Sequence, residues 1–210
     1  MIQRKAMPII AIWMLLLTQE HAVADPLVRI RLDTADLIGN PITQITAGES
    51  FQLRAFVLDL RTTGNTGVFS AFTDVTFDPT LATVSGPIVH ALDYMGFTLG
   101  DAMTPGLLNE VGGLMNSITP PGPSERLLFS VPFQAIAPGM VNFAADKADH
   151  FQSEMILYDL IPVVPAEQVV YGSTNLTIVP EPATLLHGAV ATAILLVVRL
   201  VVVRPRPQQT

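Results

Sequence analysis

Apolar and polar residues alternate with a period of two over much of this chain. Val28, Ile30 and Leu32 interleave with Arg29 and Arg31, while Phe51, Leu53, Ala55 and Val57 interleave with Gln52, Arg54 and Phe56. Successive side chains of a strand point to opposite faces, so each run predicts a strand with one face buried. The pattern repeats in Phe69, Ala71, Thr73, Val75 and Phe77, and again in Leu127, Phe129, Val131, Phe133 and Ala135. Further strands are predicted over 140–144, 154–158 and 173–179. Pro132 falls on the opposite phase to Val131 and Phe133, which predicts an outward-facing proline on an edge strand. Turn-forming clusters separate the runs at Gly64-Asn65-Thr66-Gly67, Pro120-Pro121-Gly122-Pro123 and Pro138-Gly139. Many short strands with frequent breaks and little helix predict an all-β fold, an antiparallel β-sandwich.

One stretch departs from this period. Between Pro105 and Met115, Leu107, Leu108, Val111 and Leu114 recur at helix-like spacing with Asn109 and Glu110 opposite, and Gly106, Gly112 and Gly113 weaken a helix there. The expectation is an irregular insertion with at most a short helix, covering an open end of the sandwich or carrying variable contacts.

Both ends carry segments of another kind. Arg4 and Lys5 precede an apolar stretch over 7–17, and Ala22-Val23-Ala24 is a small-x-small cleavage site before Asp25. This is the pattern of a secretory signal peptide over 1–24, so the mature chain is expected to start at Asp25 in an exported compartment. At the other end, Val179-Pro180-Glu181-Pro182 leads into an apolar run of 21 residues over 183–203, followed by Arg204-Pro205-Arg206. As a helix that run would span roughly 31 Å, enough to cross a bilayer once. Arg204 and Arg206 place the far side in the cytoplasm. The two prolines remove backbone donors and favour extended geometry, leaving a strand-like peptide open to a protease.

This order of motif, apolar run and basic end resembles the PEP-CTERM sorting signal of bacterial exported proteins. The resemblance implies recognition by exosortase, a membrane-embedded transpeptidase-like protease, and a setting of exopolysaccharide production. Here Arg199 interrupts the run, so the uninterrupted part is 183–198, 16 residues. Arg199 lies close enough to Arg204 to snorkel toward the same headgroups. The alternative is a plain single-pass anchor with a proline-rich linker.

Residues 25–179 are then one domain of 155 residues, enough for a proper core. Six basic residues stand against sixteen acidic ones there, a net of −10, which excludes nucleic acid as a partner and leaves calcium as a possible ligand. Cysteine is absent, which removes disulfides, thiolate metal sites and thiol nucleophiles together.

Gly48-Glu49-Ser50-Phe51, the step Phe77-Asp78-Pro79-Thr80-Leu81 and Leu127-Leu128-Phe129-Ser130-Val131-Pro132-Phe133 before Pro138-Gly139 are together similar to cohesin-type domains, jelly-roll sandwiches grouped with carbohydrate-binding modules. The resemblance implies a jelly-roll β-sandwich over most of 26–179 and a dockerin-like protein module as partner. It assigns no binding residue.

No nucleophile-and-base motif, zinc-protease motif or phosphate loop is present. The densest polar cluster offers Asp146, Asp149 and His150 as metal-ligand candidates, against a solvated loop between strands. Asp33 and Asp36 read as turn formers or calcium oxygens, and Asp74 and Asp78 as exposed strand-end residues. Tyr94, Tyr158 and Tyr171 are candidates for stacking on a sugar. Two classes of function follow: a non-catalytic adhesion or exopolysaccharide-matrix protein, or a carbohydrate-binding module or accessory domain of a carbohydrate-active enzyme.

Overall fold

The computed structural model describes residues 25–149, 154–159 and 163–181. Residues 1–24, with Ala22 and Ala24, His150 and the tail from Pro182 through Arg199, Arg204 and Arg206 lie outside them. In chain order the strands are β1 (Val28–Ala35), β2 (Gln44–Thr46), β3 (Ser50–Asp59), β4 (Val68–Thr76), β5 (Ala82–Val84), β6 (Val89–His90), β7 (Phe97–Asp101), β8 (Leu107–Leu114), β9 (Arg126–Ala135), β10 (Gly139–Lys147), β11 (Met155–Leu157), β12 (Val169–Tyr171) and β13 (Ser173–Val179). Among the described residues the only helical turns are the 3-10 turns Leu92–Tyr94 and Ala166–Gln168.

Two sheets face each other. The first has six strands in the order β12-β1-β3-β9-β5, with β6 also on β9; the second has seven in the order β2-β13-β10-β4-β8-β7, with β11 also on β4. The ladders are antiparallel except β1 with β12 and β2 with β13, which are parallel. This corrects a purely antiparallel expectation. The chain reaches the short strands β2 and β12 by crossing between the sheets, and a crossing is not bound to the reversal that a tight hairpin imposes.

The inward phase of each long strand is closed to solvent. Val28, Ile30, Phe51, Leu53, Ala55, Phe129, Val131 and Phe133 from the first sheet meet Ala71, Val75, Leu108, Val111, Val141 and Phe143 from the second, all fully buried. At the centre Phe133 lies 5.6 Å from Phe51, 5.0 Å from Phe77 and 5.2 Å from Phe143 between ring centroids, the last two edge-on. Edge-to-face contacts of this kind add to the area they bury. On the outer face, Phe56 packs beneath two guanidinium groups, Arg31 at 4.2 Å and Arg54 at 5.4 Å.

Two further expectations are corrected. Strand β9 is not an edge, since β3 pairs with one side of it and β5 and β6 with the other. Pro132 is accommodated in the gap between those short strands, which reach Phe133 and Ser130 but not the proline. Its carbonyl accepts the Ser85 N–H at 2.9 Å, and no donor is needed at that point.

Residues 107–114 are neither an insertion nor a helix but strand β8, between β4 and β7. A Cβ on Gly112 would stand 1.9 Å from the Ala71 carbonyl oxygen, and one on Gly113 2.2 Å from that of Tyr94. The glycines that argue against a helix are what let this backbone approach its neighbours. The helix-like spacing comes from a bulge: Thr73 faces Val111 and Val75 faces Leu108, so Asn109 and Glu110 together oppose Asp74. The extra residue shifts the inward phase by one.

Replacing Phe133 by Ala is expected to cost about 3–5 kcal/mol in denaturant unfolding, as for large core aromatics. Phe56→Ala, on the outer face, is expected to cost clearly less; equal losses would contradict the central role of the ring cluster.

Candidate functional site

The bulge between β4 and β8 gathers carboxylates. Asp74 sits on β4 with Asp146 directly across the ladder on β10 and the bulged Glu110 on its β8 side. Glu110 takes a left-handed backbone angle, φ 54°, and its N–H donates to Asp74 Oδ1 at 2.7 Å. Its own Oε1 accepts the Asp149 N–H at 2.7 Å, which fastens the end of β10 to the bulge. Oxygens of Asp74, Glu110 and Asp149 all lie within 4.8 Å of one another. Glu110 is buried, Asp74 is partly buried and Asp149 is exposed.

Burial and like charge act together on this group. The Asp74 carboxyl is pushed above the ordinary carboxylate range, first by desolvation and then by the charges of Glu110, Asp149 and Asp146, against the Glu110 N–H. Glu154, just before β11, is raised by desolvation and by Glu110, with the Lys147 charge offsetting part of it. Like charges facing each other across a ladder oppose folding. A proton or a hard cation relieves that opposition, and calcium takes oxygen donors of this kind, about six to eight in all. Asp74, Glu110 and Asp149 are the residues that would hold such an ion.

Of the sequence-predicted metal candidates, Asp149 joins the cluster and His150 lies outside the described residues. Asp146 is exposed and stands outside the three converging carboxylates, although its charge reaches Asp74. Asp74 and Glu110 escaped the sequence reading because only the bulge brings them together. The signal that was available is the polar pair Asn109-Glu110 breaking an otherwise apolar strand.

Other candidates take structural roles. Asp33 is no turn former: it bridges Arg54 at 2.7 Å and Arg31 at 3.0 Å on the outer face of the first sheet. Arg31 in turn grips Glu125 at 2.8 Å, which holds the guanidinium above its already high ordinary pKa. Asp36 does cap a turn, accepting the Asn40 side-chain amide at 2.9 Å and the Asn40 N–H at 2.8 Å, and Asp78 likewise accepts the Thr80 hydroxyl at 2.7 Å and the Thr80 N–H at 2.8 Å, so both carboxyls fall below the usual range. Tyr94 and Tyr158 are buried, which removes them as sugar platforms; Tyr171 is half-buried.

At the end of the sandwich where β6 leads into the 3-10 turn at Leu92, an open groove of about 600 Å³ is lined by Val89, His90, Leu92, Arg126 and Leu127 among others. Arg126 is fixed there by Asp93 at 2.6 Å, and burial lowers the His90 imidazole pKa. Val89, Leu92, Met95, Phe97 and Ile118 are exposed around this end.

No protein-family model and no curated protein matches the chain. Solved structures do. A cohesin module from a Clostridium perfringens family 33 glycoside hydrolase superposes with a TM-score of 0.50 at 13% identity, covering 74% of this chain and 99% of that module. A type III cohesin module from a cell-surface anchoring scaffoldin of Ruminococcus flavefaciens gives 0.48 at 10% identity, over 75% and 91%. The sixth cohesin of Acetivibrio cellulolyticus scaffoldin B, solved in complex with a dockerin, gives 0.47 at 16% identity, over 70% and 98%. The Clostridium perfringens likeness shows a cohesin-like β-sandwich and, at that identity, the fold alone.

Because Asp74 and Glu154 hold protons more tightly in the folded chain than in the unfolded one, their contribution to stability falls as the pH rises from the ordinary carboxylate range through their raised pKa values. Asp74→Asn, which keeps an oxygen for the Glu110 N–H, is therefore expected to melt higher than the parent at pH 7. The advantage should shrink as the pH is lowered toward about 4. A gap that stays constant with pH would show that charge repulsion is not the cause.

Proposed function

We propose that this chain is an exported envelope protein whose residues 25–179 form a non-catalytic recognition module, delivered to an exosortase-type protease by its Pro180-Glu181-Pro182 tail. The observation that carries this reading is where the domain stops. Strand β13 is paired on both sides to its end, with Gly139 opposite Ile178 on β10 and Thr46 opposite Val179 on β2. The Val179 carbonyl accepts the Ala47 N–H at 2.9 Å, and Pro180 and Glu181 follow it exposed. A domain whose last paired residue directly precedes the motif keeps its fold intact when the tail is cut, and the motif stays accessible.

Recognition of a protein rather than a glycan is favoured by the surface itself. Two of the three tyrosines that could stack on a sugar are buried, whereas the groove at the β6 end presents aliphatic side chains. The partner class proposed is a small protein module of the dockerin kind, met within an extracellular or cell-surface matrix.

The intact mass and both termini of the protein isolated from its own cells test the reading. A mature chain running from near Asp25 to near Pro180-Glu181-Pro182 is expected. Retention of Arg204 and Arg206 would replace sorting by a permanent single-pass anchor, and turnover of a glycan that one carboxylate substitution abolishes would overturn the non-catalytic assignment.

A further inference from the structure

The sandwich has two ends, and the chain leaves from one of them. At that end the turn after β2 bonds to the last strand through Ala47 N–H and the Val179 carbonyl, and to β9 through Gly48 N–H and the Ala135 carbonyl. The Ile136 N–H donates to the Leu81 carbonyl and the Phe77 N–H to that of Gly106, which brings the β9–β10, β4–β5 and β7–β8 connections alongside. The Ile42 N–H donates to Thr34, and the Gln52 side chain donates to the Leu37 carbonyl, so the β1–β2 loop belongs to the same end. Glu181 lies against it too, since a Cβ on Gly48 would stand 3.0 Å from Glu181 Oε1.

These loops carry large apolar side chains in the open. Ile38 is 86% exposed, Met103 87%, Leu37 59% and Ile136 48%, with Met140 exposed beside the β9–β10 turn. Loops 36–43, 47–49, 77–81, 102–106 and 136–138 contain neither lysine nor arginine. The carboxylates at this end cap turns at the surface: Asp36 onto Ile38 and Asn40, Asp78 onto Thr80, Asp101 onto Met103 and Glu49 onto Thr46. Grouped exposure of this kind on a small domain marks a surface that something covers.

Chain length says what that is. Val179 is bonded into the sandwich through its carbonyl, and the apolar run begins at residue 183. Four residues reach at most ~14 Å. An apolar run inserted in a bilayer therefore holds this end of the domain against the headgroups. Resting on the reading of 183–203 as a membrane span, we propose that the loop end carrying Leu37, Ile38, Met103 and Ile136 docks on the bilayer surface before the tail is cut. With acidic caps and no basic residue, the loops suit a zwitterionic surface and are weakened by an anionic one. The groove at the β6 end then points away from the membrane, toward a partner.

The lack of cysteine makes the test direct. The full chain is reconstituted into phosphatidylcholine vesicles with one cysteine placed by Ile38→Cys, Met103→Cys or Ile136→Cys, or by Ile118→Cys at the opposite end, and labelled with nitrobenzoxadiazole. Blue-shifted emission and several-fold stronger quenching by headgroup-level nitroxide lipids are expected at the first three positions and not at Ile118. Replacing part of the phosphatidylcholine by phosphatidylglycerol should reduce that quenching; a rise would contradict the charge argument.

Equal quenching at all four positions, in vesicles from which alkaline carbonate does not extract the chain, would overturn the docking while leaving the membrane span standing. Extraction by carbonate would instead remove the span itself, and the docking with it. Protection of the three loop positions only when a second protein is added would assign the surface to a protein and overturn the proposal.

Discussion

The meeting of Phe51 and Phe133 with Phe77 and Phe143 between the sheets is the contact on which the rest depends. Without cysteine, and with no helix layer among the described residues, the domain relies on burial between two sheets to offset the conformational entropy of its strands. These rings are the largest apolar groups available for that purpose, and they come from four strands or strand ends of both sheets. Their contacts set the spacing and register of the faces, so Val131, Leu53, Val141 and Leu176 fall in line around them.

That core leaves two outer faces of different electrostatic character. On the first sheet Arg31, Arg54, Asp33 and Glu125 form an interlocked set with Phe56 beneath it, so charge is paired as it is displayed. On the second, Asp74, Glu110, Asp146 and Asp149 are drawn together by strand pairing and a bulge. Part of the negative charge of the domain thus gathers where the backbone is also held in an uncommon conformation at Glu110. Asp59 shows the contrasting solution: its buried carboxylate takes the Arg61 guanidinium at 2.7 Å and the Gly67 N–H at 2.6 Å, tying the β3–β4 loop to the end of β3.

The parallel pairing of β2 with β13 gives the architecture a direction. It holds β13 until Val179, the residue before the proline block. One end is thereby committed to the side from which the tail departs, and the groove near Leu92 and Arg126 lies at the other.

Most of this was legible in the amino-acid order because period-two alternation reports a strand with one wet face. It located the long strands β1, β3, β4, β9, β10 and β13 to within a few residues, and the outward phase of Pro132. Alternation is a local property, and it fails where a neighbour decides. Gly112 and Gly113 read as helix breakers until Ala71 and Tyr94 are seen to press against their backbones, and Leu108 and Val111 share a face only because a bulge adds a residue. The carboxylate site was hidden for the same reason. Asp74, Glu110 and Asp149 are far apart in the chain, and only the pairing of β4 with β8 and β10 puts their oxygens together. What the sequence alone determined was the class of the fold and its charge; what only the tertiary structure decided was which polar groups meet, because strand pairing sets those distances and no local pattern encodes it.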